Sequence, residues 1–275
     1  MHSRDTRSLS FTKHHGAGND FLVVLDPSDE IGFEEREIRA LCDRHLGVGA
    51  DGVIRVGRGR CGAELSMDLR NADGSPAEMS GNGIRCLAQA AVDAGLVVPP
   101  AFTVETAAGL RTVEYRPGED PGTGWASVDM GAARVGPEET SSLWDGPLRH
   151  VDLGNPHLVA LGADPADVDL AGLGPRFQES VQGGVNVEFI AVGARRDELV
   201  LRVWERGVGE TLACGTGSVA AAAAASAWGL VGDTVRVHNP GGTLEVLLGA
   251  PSEPARLAGP VRKVADVVVD RASLA

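Results

Sequence analysis

The chain has 275 residues, 43% hydrophobic and 23% charged, an ordinary globular composition long enough for one large or two medium domains. A formal net charge of −13 argues against a general nucleic-acid binder, which would carry a basic stripe. The polar start MHSRDTRSLS lacks a secretory apolar run, the longest apolar stretch (219–225) is far short of the roughly 20 residues of a membrane span, and four cysteines show no metal-ligand spacing. The expectation is a protein free of membrane, metal and nucleic acid, with reduced thiols in a cytoplasm. One Tyr and six Phe leave the core to Val, Leu, Ile and Ala.

In chain order, residues 9–12 and 21–25 read as strands around the turn HGAG. Residues 34–44 have helical spacing, with Ile38, Leu41 and Cys42 on one face. Strands follow at 52–56 and 64–70, then the turn NADGSP at 71–76. Residues 83–94 predict a helix that Gly95 stops, and 102–105, 111–115 and 126–130 read as short strands. Beyond Met130 the pattern restarts: strands at 149–153, 158–161, 186–192 and 198–204, a helix at 217–228 stopped by Gly229, and strands at 235–238 and 243–248. A last strand at 260–269 could return to the first half.

Two segments recur. AEMSGNGIRC (77–86) superposes on TLACGTGSVA (211–220), so that Ser80 and Cys214 stand 134 residues apart. GNDFLV (18–23) resembles GNPHLV (154–159), with Asn19 and Asn155 136 residues apart. Matched segments in one order and at nearly one offset predict two homologous domains, residues 1–130 (with 259–275 returning to it) and 131–258. Several strands and one main helix in each make the fold class α+β, two pseudo-symmetric domains rather than alternating βαβ units.

Each repeat sets a small polar or thiol residue before Gly-x-Gly at a helix start. Uncovered backbone N–H groups and the helix dipole attract an anion there. The same field lowers a thiol's pKa, which makes Cys214 a candidate base or nucleophile. By residue type alone it would read as a small buried hydrophobe. Two such helix starts facing one small carboxylate suit inversion at a carbon, with a base on one face and an acid on the other. The N–H groups would stabilise the charge that develops. No P-loop or Rossmann fingerprint is present, so no cofactor is implied. Cys86 reads as core, and Cys42 and Cys61 carry no signal.

The ordered set HGAGNDF (15–21), CDRH (42–45), GVGADG (47–52), NADGS (71–75), GNGIR (81–85), GNPH (154–157), GVNV (184–187), ERGVGET (205–211) and ACGTG (213–217) resembles the diaminopimelate epimerase family nearly end to end. The resemblance implies a mostly antiparallel sheet wrapped round a central helix in each domain. It implies a homodimer and a cofactor-independent isomerase of lysine biosynthesis that interconverts LL- and meso-diaminopimelate. Cys214 matches one of the family's two catalytic thiols. Gly81, Asn82, Gly215 and Thr216 would hold the reacting end of the substrate. Asn71, Asn155, Asn186, Glu205 and Arg206 would hold the distal end, and Asn19 is a further contact. His157 would either brace the site or touch substrate.

The chain departs from the family at Gly52, where some members carry a Gln that touches substrate. It departs more seriously at Ser80, which stands where the second catalytic Cys belongs. A serine hydroxyl starts many pKa units above a thiol, and its only obvious acidic neighbour in sequence is Glu78. Ser80 reads as a disabling replacement of the thiol, introduced or natural, or as a slower acid that still supports epimerisation. A racemase or dehydratase using Cys214 as its single base, or a catalytically dead amino-acid-binding form, are the alternatives.

Overall fold

The structure is a computed structural model, and it describes residues 8–274 apart from 78, 163, 251 and 252. Glu78, the sequence neighbour of Ser80, and the polar start of the chain thus lie outside the described residues. The first half runs β1 (Ser8–Gly16), β2 (Asn19–Leu25), α1 (Glu35–Cys42), β3 (Gly52–Arg58), β4 (Leu65–Asn71), β5 (Pro76–Ala77), α2 (Gly81–Asp93), β6 (Ala101–Thr106) and β7 (Gly109–Pro117). After β8 (Thr123–Gly131) and β9 (Arg134–Ser141), the second half runs β10 (Trp144–Asp152), β11 (Pro156–Leu161), α3 (Leu170–Ser180), β12 (Asn186–Val192), β13 (Glu198–Glu205) and β14 (Gly209–Thr211). It continues with α4 (Gly215–Ala227), β15 (Thr234–Asn239) and β16 (Gly242–Leu247), and the long strand β17 (Ala255–Asp270) follows. Two compact units result. One holds the residues up to Ala126 and those from Pro260 on, and the other spans Ser127–Gly259.

The halves pair their strands identically. In the first, β1–β2, β3–β4, β4–β5 and β6–β7 are antiparallel, while β2–β3 and β4–β6 are parallel. In the second, β10–β11, β12–β13, β13–β14 and β15–β16 are antiparallel, while β11–β12 and β13–β15 are parallel. The fold is α+β with mostly antiparallel sheets, as the strand-rich pattern predicts. The parallel joints need crossovers: α1 and α3 lie in those of β2–β3 and β11–β12, and α2 and α4 in those of β4–β6 and β13–β15.

The parallel pairs β2–β3 and β11–β12 are covered on both faces, so their strands read as near-continuous apolar runs. Alternation then divides the side chains. Leu22, Val24 and Val53 join Ile38 and Leu41 of α1 in one core, and Leu158, Ala160, Val187 and Phe189 join Leu170 and Phe177 of α3 in another. The opposite faces meet the central helices. α2 is buried from Gly81 to Ala91 and α4 from Gly215 to Ala225. A helix buried all round has no polar face, which accounts for the alanine run of α4.

Several elements differ from the sequence expectation. Both central helices begin two residues earlier than predicted, because Ser80 and Cys214 cap them and their glycines form the first turn. The helix α3 was not predicted, since Gly172, Gly174 and Pro175 argue against helix by propensity. It forms because Asp169 caps it and Leu170 and Phe177 bury one face. The strand β9 is mostly exposed and lacks alternation, and it exists by pairing with β10.

Both central helices end alike. Gly95 and Gly229 adopt φ of 70° and 71°, and Leu96 and Leu230 donate back to Ala91 and Ala225. A Cβ at Gly229 would meet no atom within 4 Å, so an alanine there pays in backbone conformation alone. Gly229→Ala is therefore expected to lower stability by about 1–2 kcal/mol in urea unfolding, with Gly229→Asn losing less.

Candidate active site

In the N-terminal half Ser80 has extended backbone and caps α2, its Oγ accepting the Gly83 N–H at 3.0 Å. Gly81 and Asn82 open the helix and are buried. Asn19 starts β2, where the parallel register with β3 brings the chain beside Asp51. Asn82 Nδ2 donates to Asn19 Oδ1 at 3.1 Å, and Asn19 Nδ2 to Asp51 Oδ2 at 2.7 Å. Arg44 bridges Asp51 at 2.6 Å and Asp20 at 2.7 Å, and Lys13 reaches Asp20 at 2.9 Å. Burial acts to raise the Asp20 pKa, but the hydrogen bonds of Arg44 and Lys13 outweigh it and hold the carboxyl below its usual range. Asn71 stands apart from this set, its side chain donating to Ser75 within its own turn at 3.1 Å. At Gly52 a Cβ would lie 2.5 Å from the Arg70 carbonyl, so the close strand pairing demands glycine there.

In the C-terminal half Cys214 caps α4 in the same way, its Sγ accepting the Gly217 N–H at 3.3 Å and lying 3.5 Å from Thr216 Oγ1. Gly215 and Thr216 open the helix. His157 and Glu188 project toward α4 from β11 and β12, both fully buried, with Nδ1 2.7 Å from Oε1. His157 Nε2 lies 3.2 Å from Asn155 Oδ1, so the ring braces Asn155, whose Nδ2 reaches Thr216 at 3.5 Å. Glu205, at the end of β13, accepts from Thr211, and its charge acts on Cys214. Arg206 and Asn186 form a separate pair. The Arg206 N–H donates to Asn186 Oδ1 at 2.9 Å, and the guanidinium to Gly183 O at 3.1 Å.

The helix field does not lower the thiol's pKa as the sequence suggested. Burial pushes Cys214 well above the ordinary thiol range, and the charges of Glu205 and Glu188 add to it. The Thr216 and Gly217 hydrogen bonds pull the other way and are outweighed. Glu205 is itself raised, first by burial and then by Glu188, against hydrogen bonds from Thr211 and Cys214. A Cβ at Gly217 would stand 2.7 Å from Glu188 Oε1 and 3.3 Å from Cys214 Sγ, which puts that carboxylate against the helix start. The resting site is thus a thiol with two carboxyl groups around it. Cys86 is fully buried, its thiol pushed up to about 12 by burial, in keeping with a core residue.

Duplication of the frame does not extend to the chemistry. At the positions of His157 and Glu188 the N-terminal half has Phe21 and Ile54, as the matching registers show. A Cβ at Gly83 would meet Ile54 Cδ1 at 3.1 Å and Met67 Cε at 3.2 Å, where Gly217 faces a carboxylate. Glu188, Thr211, Asp51 and Arg44 were not singled out from sequence. Glu188 did leave a signal, a lone acid within the apolar run VNVEFIAV. Among the described residues no helix is long and apolar enough to cross a membrane, and no cluster of three or more His, Cys, Asp or Glu could hold a metal.

The same fold occurs in a hydroxyproline epimerase from Agrobacterium vitis solved with trans-4-hydroxy-L-proline, at 16% identity and a TM-score of 0.75 over 97% of this chain and 93% of that one. It occurs also in a phenazine biosynthesis protein of the PhzF family from Bacillus anthracis, at 17% identity and a TM-score of 0.72 over 96% and 99%. The class is therefore the α+β fold of two like halves that these structures share. The family model for diaminopimelate epimerase matches residues 11–136 and 149–264. The diaminopimelate epimerase of Thermobifida fusca is 43% identical over 94% of this chain and 97% of its own, and that of a Cyanothece strain 38% over 94% and 98%. The chain belongs to the diaminopimelate epimerase family.

Because two anions oppose ionisation of Cys214, its alkylation in the ligand-free protein is expected to rise only above the pH range of an ordinary thiol, about 8.5. Removing one anion lowers the thiol's pKa, so Glu205→Gln is expected to move that profile to lower pH. Mass spectrometry of the Cys214 peptide across a pH series checks both, and a profile that moves up would contradict the electrostatic account.

Proposed function

We propose that the chain is a cofactor-independent epimerase of LL- and meso-diaminopimelate, acting by proton removal and return at the α-carbon. The observation that carries the reading is Cys214 at a helix start, its Sγ accepting the Gly217 N–H, with the charges of Glu205 and Glu188 acting on it. The N–H groups of α4 would take the α-carboxylate and stabilise the charge that builds on it. As a thiol, Cys214 is poised to donate a proton to a carbanion. To act as base it must first lose that proton, and the Glu205 carboxylate, made more basic by its surroundings, is placed to accept it. This moves Glu205 from the distal end of the substrate to the reacting end. Arg206 remains suited to a bidentate pair with the distal carboxylate, beside Asn186. Asn155, Asn71, Asn19 and Asn82 would supply orientation.

Inversion needs a second acid or base on the other face of the carbon, and Ser80, the matching residue of the other half, is assigned to it. Its hydroxyl caps α2 as Cys214 caps α4, so the position is equivalent and only the atom differs. A hydroxyl there can deliver a proton, but the helix field alone cannot make it an effective base. This favours a second reading, in which Cys214 works as a single base and full epimerisation is impaired. A racemase or dehydratase acting on another amino acid, or a form that only binds, are its further variants. The family resemblance carries with it a cytoplasmic homodimer in lysine biosynthesis.

Proton exchange at the α-carbon in D₂O, begun separately from LL- and meso-diaminopimelate, tests this. Epimerisation by the unaltered chain in both directions is the result expected of the proposal, with Ser80, or a water it holds, as a competent partner. Exchange at one stereocentre only, with full epimerisation restored by Ser80→Cys, would decide for the second reading. Cys214→Ala is expected to abolish all exchange, and residual exchange would place the base elsewhere. Binding without exchange would leave an amino-acid-binding protein.

A further inference from the structure

Arg85 takes no part in the chemistry described so far, yet its position is costly. It lies in the second turn of α2 and is fully buried, and among the described residues it makes no ion pair. Nη1 donates to the Gly81 carbonyl at 2.9 Å, Nη2 donates to Asn82 Oδ1 at 2.8 Å, and Nε finds no partner. Burial pulls its pKa down to about 10, so it keeps its charge at neutral pH. Room is made for it at Gly16, where a Cβ would stand 2.8 Å from Nη2. A charge buried without a carboxylate is expensive, and packing alone would be served by an apolar residue. The matching position of the other half, 134 residues on, is Val219.

What the guanidinium does is visible in the chain of bonds that it heads. Arg85 donates to Asn82, Asn82 to Asn19, and Asn19 to Asp51. A guanidinium only donates and a carboxylate only accepts. Two amides strung between them satisfy both ends in one sense only, each oxygen toward Arg85 and each NH₂ toward Asp51. Reversing either amide would set donor against donor or acceptor against acceptor, at the buried Asn82 or at the part-buried Asn19, which neither end can relieve. We propose that Arg85 is a positioning residue: with Asp51 as the opposite terminus, it locks the side-chain amides of Asn82 and Asn19 and so fixes which atom of each faces the substrate. Its consequence for binding rests on the reading of Asn19 and Asn82 as substrate contacts.

NMR of the side-chain amides in the ligand-free full chain reads the lock without substrate, and calorimetric titration with LL- and meso-diaminopimelate reads its effect. In Arg85→Met the Asn19 and Asn82 NH₂ resonances are expected to move toward free-amide positions while that of Asn155, in the other half, stays. Diaminopimelate affinity should fall by about tenfold, the loss of roughly one oriented hydrogen bond. Arg85→Lys, also a pure donor, should recover part of both. Unmoved Asn19 and Asn82 signals in a folded Arg85→Met protein would overturn the proposal. Should that variant not fold, Asp51→Leu removes the acceptor at a half-exposed residue and must release Asn19, and an unmoved Asn19 signal there overturns the proposal equally. If the amide signals respond as expected but the unaltered chain binds no diaminopimelate, the lock stands and the functional reading falls.

Discussion

Everything in each half follows from burying one helix completely. α2 and α4 are closed in along their first eleven residues, and no side chain of α4 carries a charge. The backbone N–H groups of the first turn are the polar features such a helix must still satisfy. A capping side chain satisfies one of them, and the rest are concentrated at one point with the positive end of the helix dipole. The sheet's burden of covering the helix thus creates an anion-seeking spot at the helix start, and it does so twice.

The two spots share a frame and differ in charge. Around Cys214 the neighbouring strands contribute Glu188 and Glu205, so the local field opposes the dipole and keeps the thiol protonated. Around Ser80 the strand positions that match His157 and Glu188 hold Phe21 and Ile54, and the position that matches Glu205 holds Asn71. The two starts thus keep one backbone and one cap geometry, while acids act on the cap of one and apolar Ile54 lies against the first turn of the other.

Regular elements with strong local signals were legible in the sequence. The central helices, their stop glycines and the parallel-paired strands all stood out by apolar runs and Gly-Leu ends. α3 was not legible, because its glycines and proline speak against a helix and only packing of Leu170 and Phe177 against β12 and its neighbours decides for it. β9 was not legible either, since an exposed strand carries no alternation and is defined by its partner. Among candidate site residues, the cap residues and asparagines of the recurring motifs were singled out, while Glu188 and Asp51 were passed over.

By itself the sequence determined the duplication, the α+β class and the placing of Ser80 and Cys214 at equivalent helix starts, because these are periodic or local features that spacing alone encodes. Only the tertiary structure decided the protonation chemistry. A thiol's acidity depends on which charges lie within a few ångströms and on how much water is excluded, and those come from residues far apart in the chain. His157 and Glu188 meet across a parallel strand pair, and Arg85, Asn82, Asn19 and Asp51 meet between a helix, a strand and a loop. No local pattern records such meetings, so the sequence singled out Cys214 but not the direction of its pKa shift.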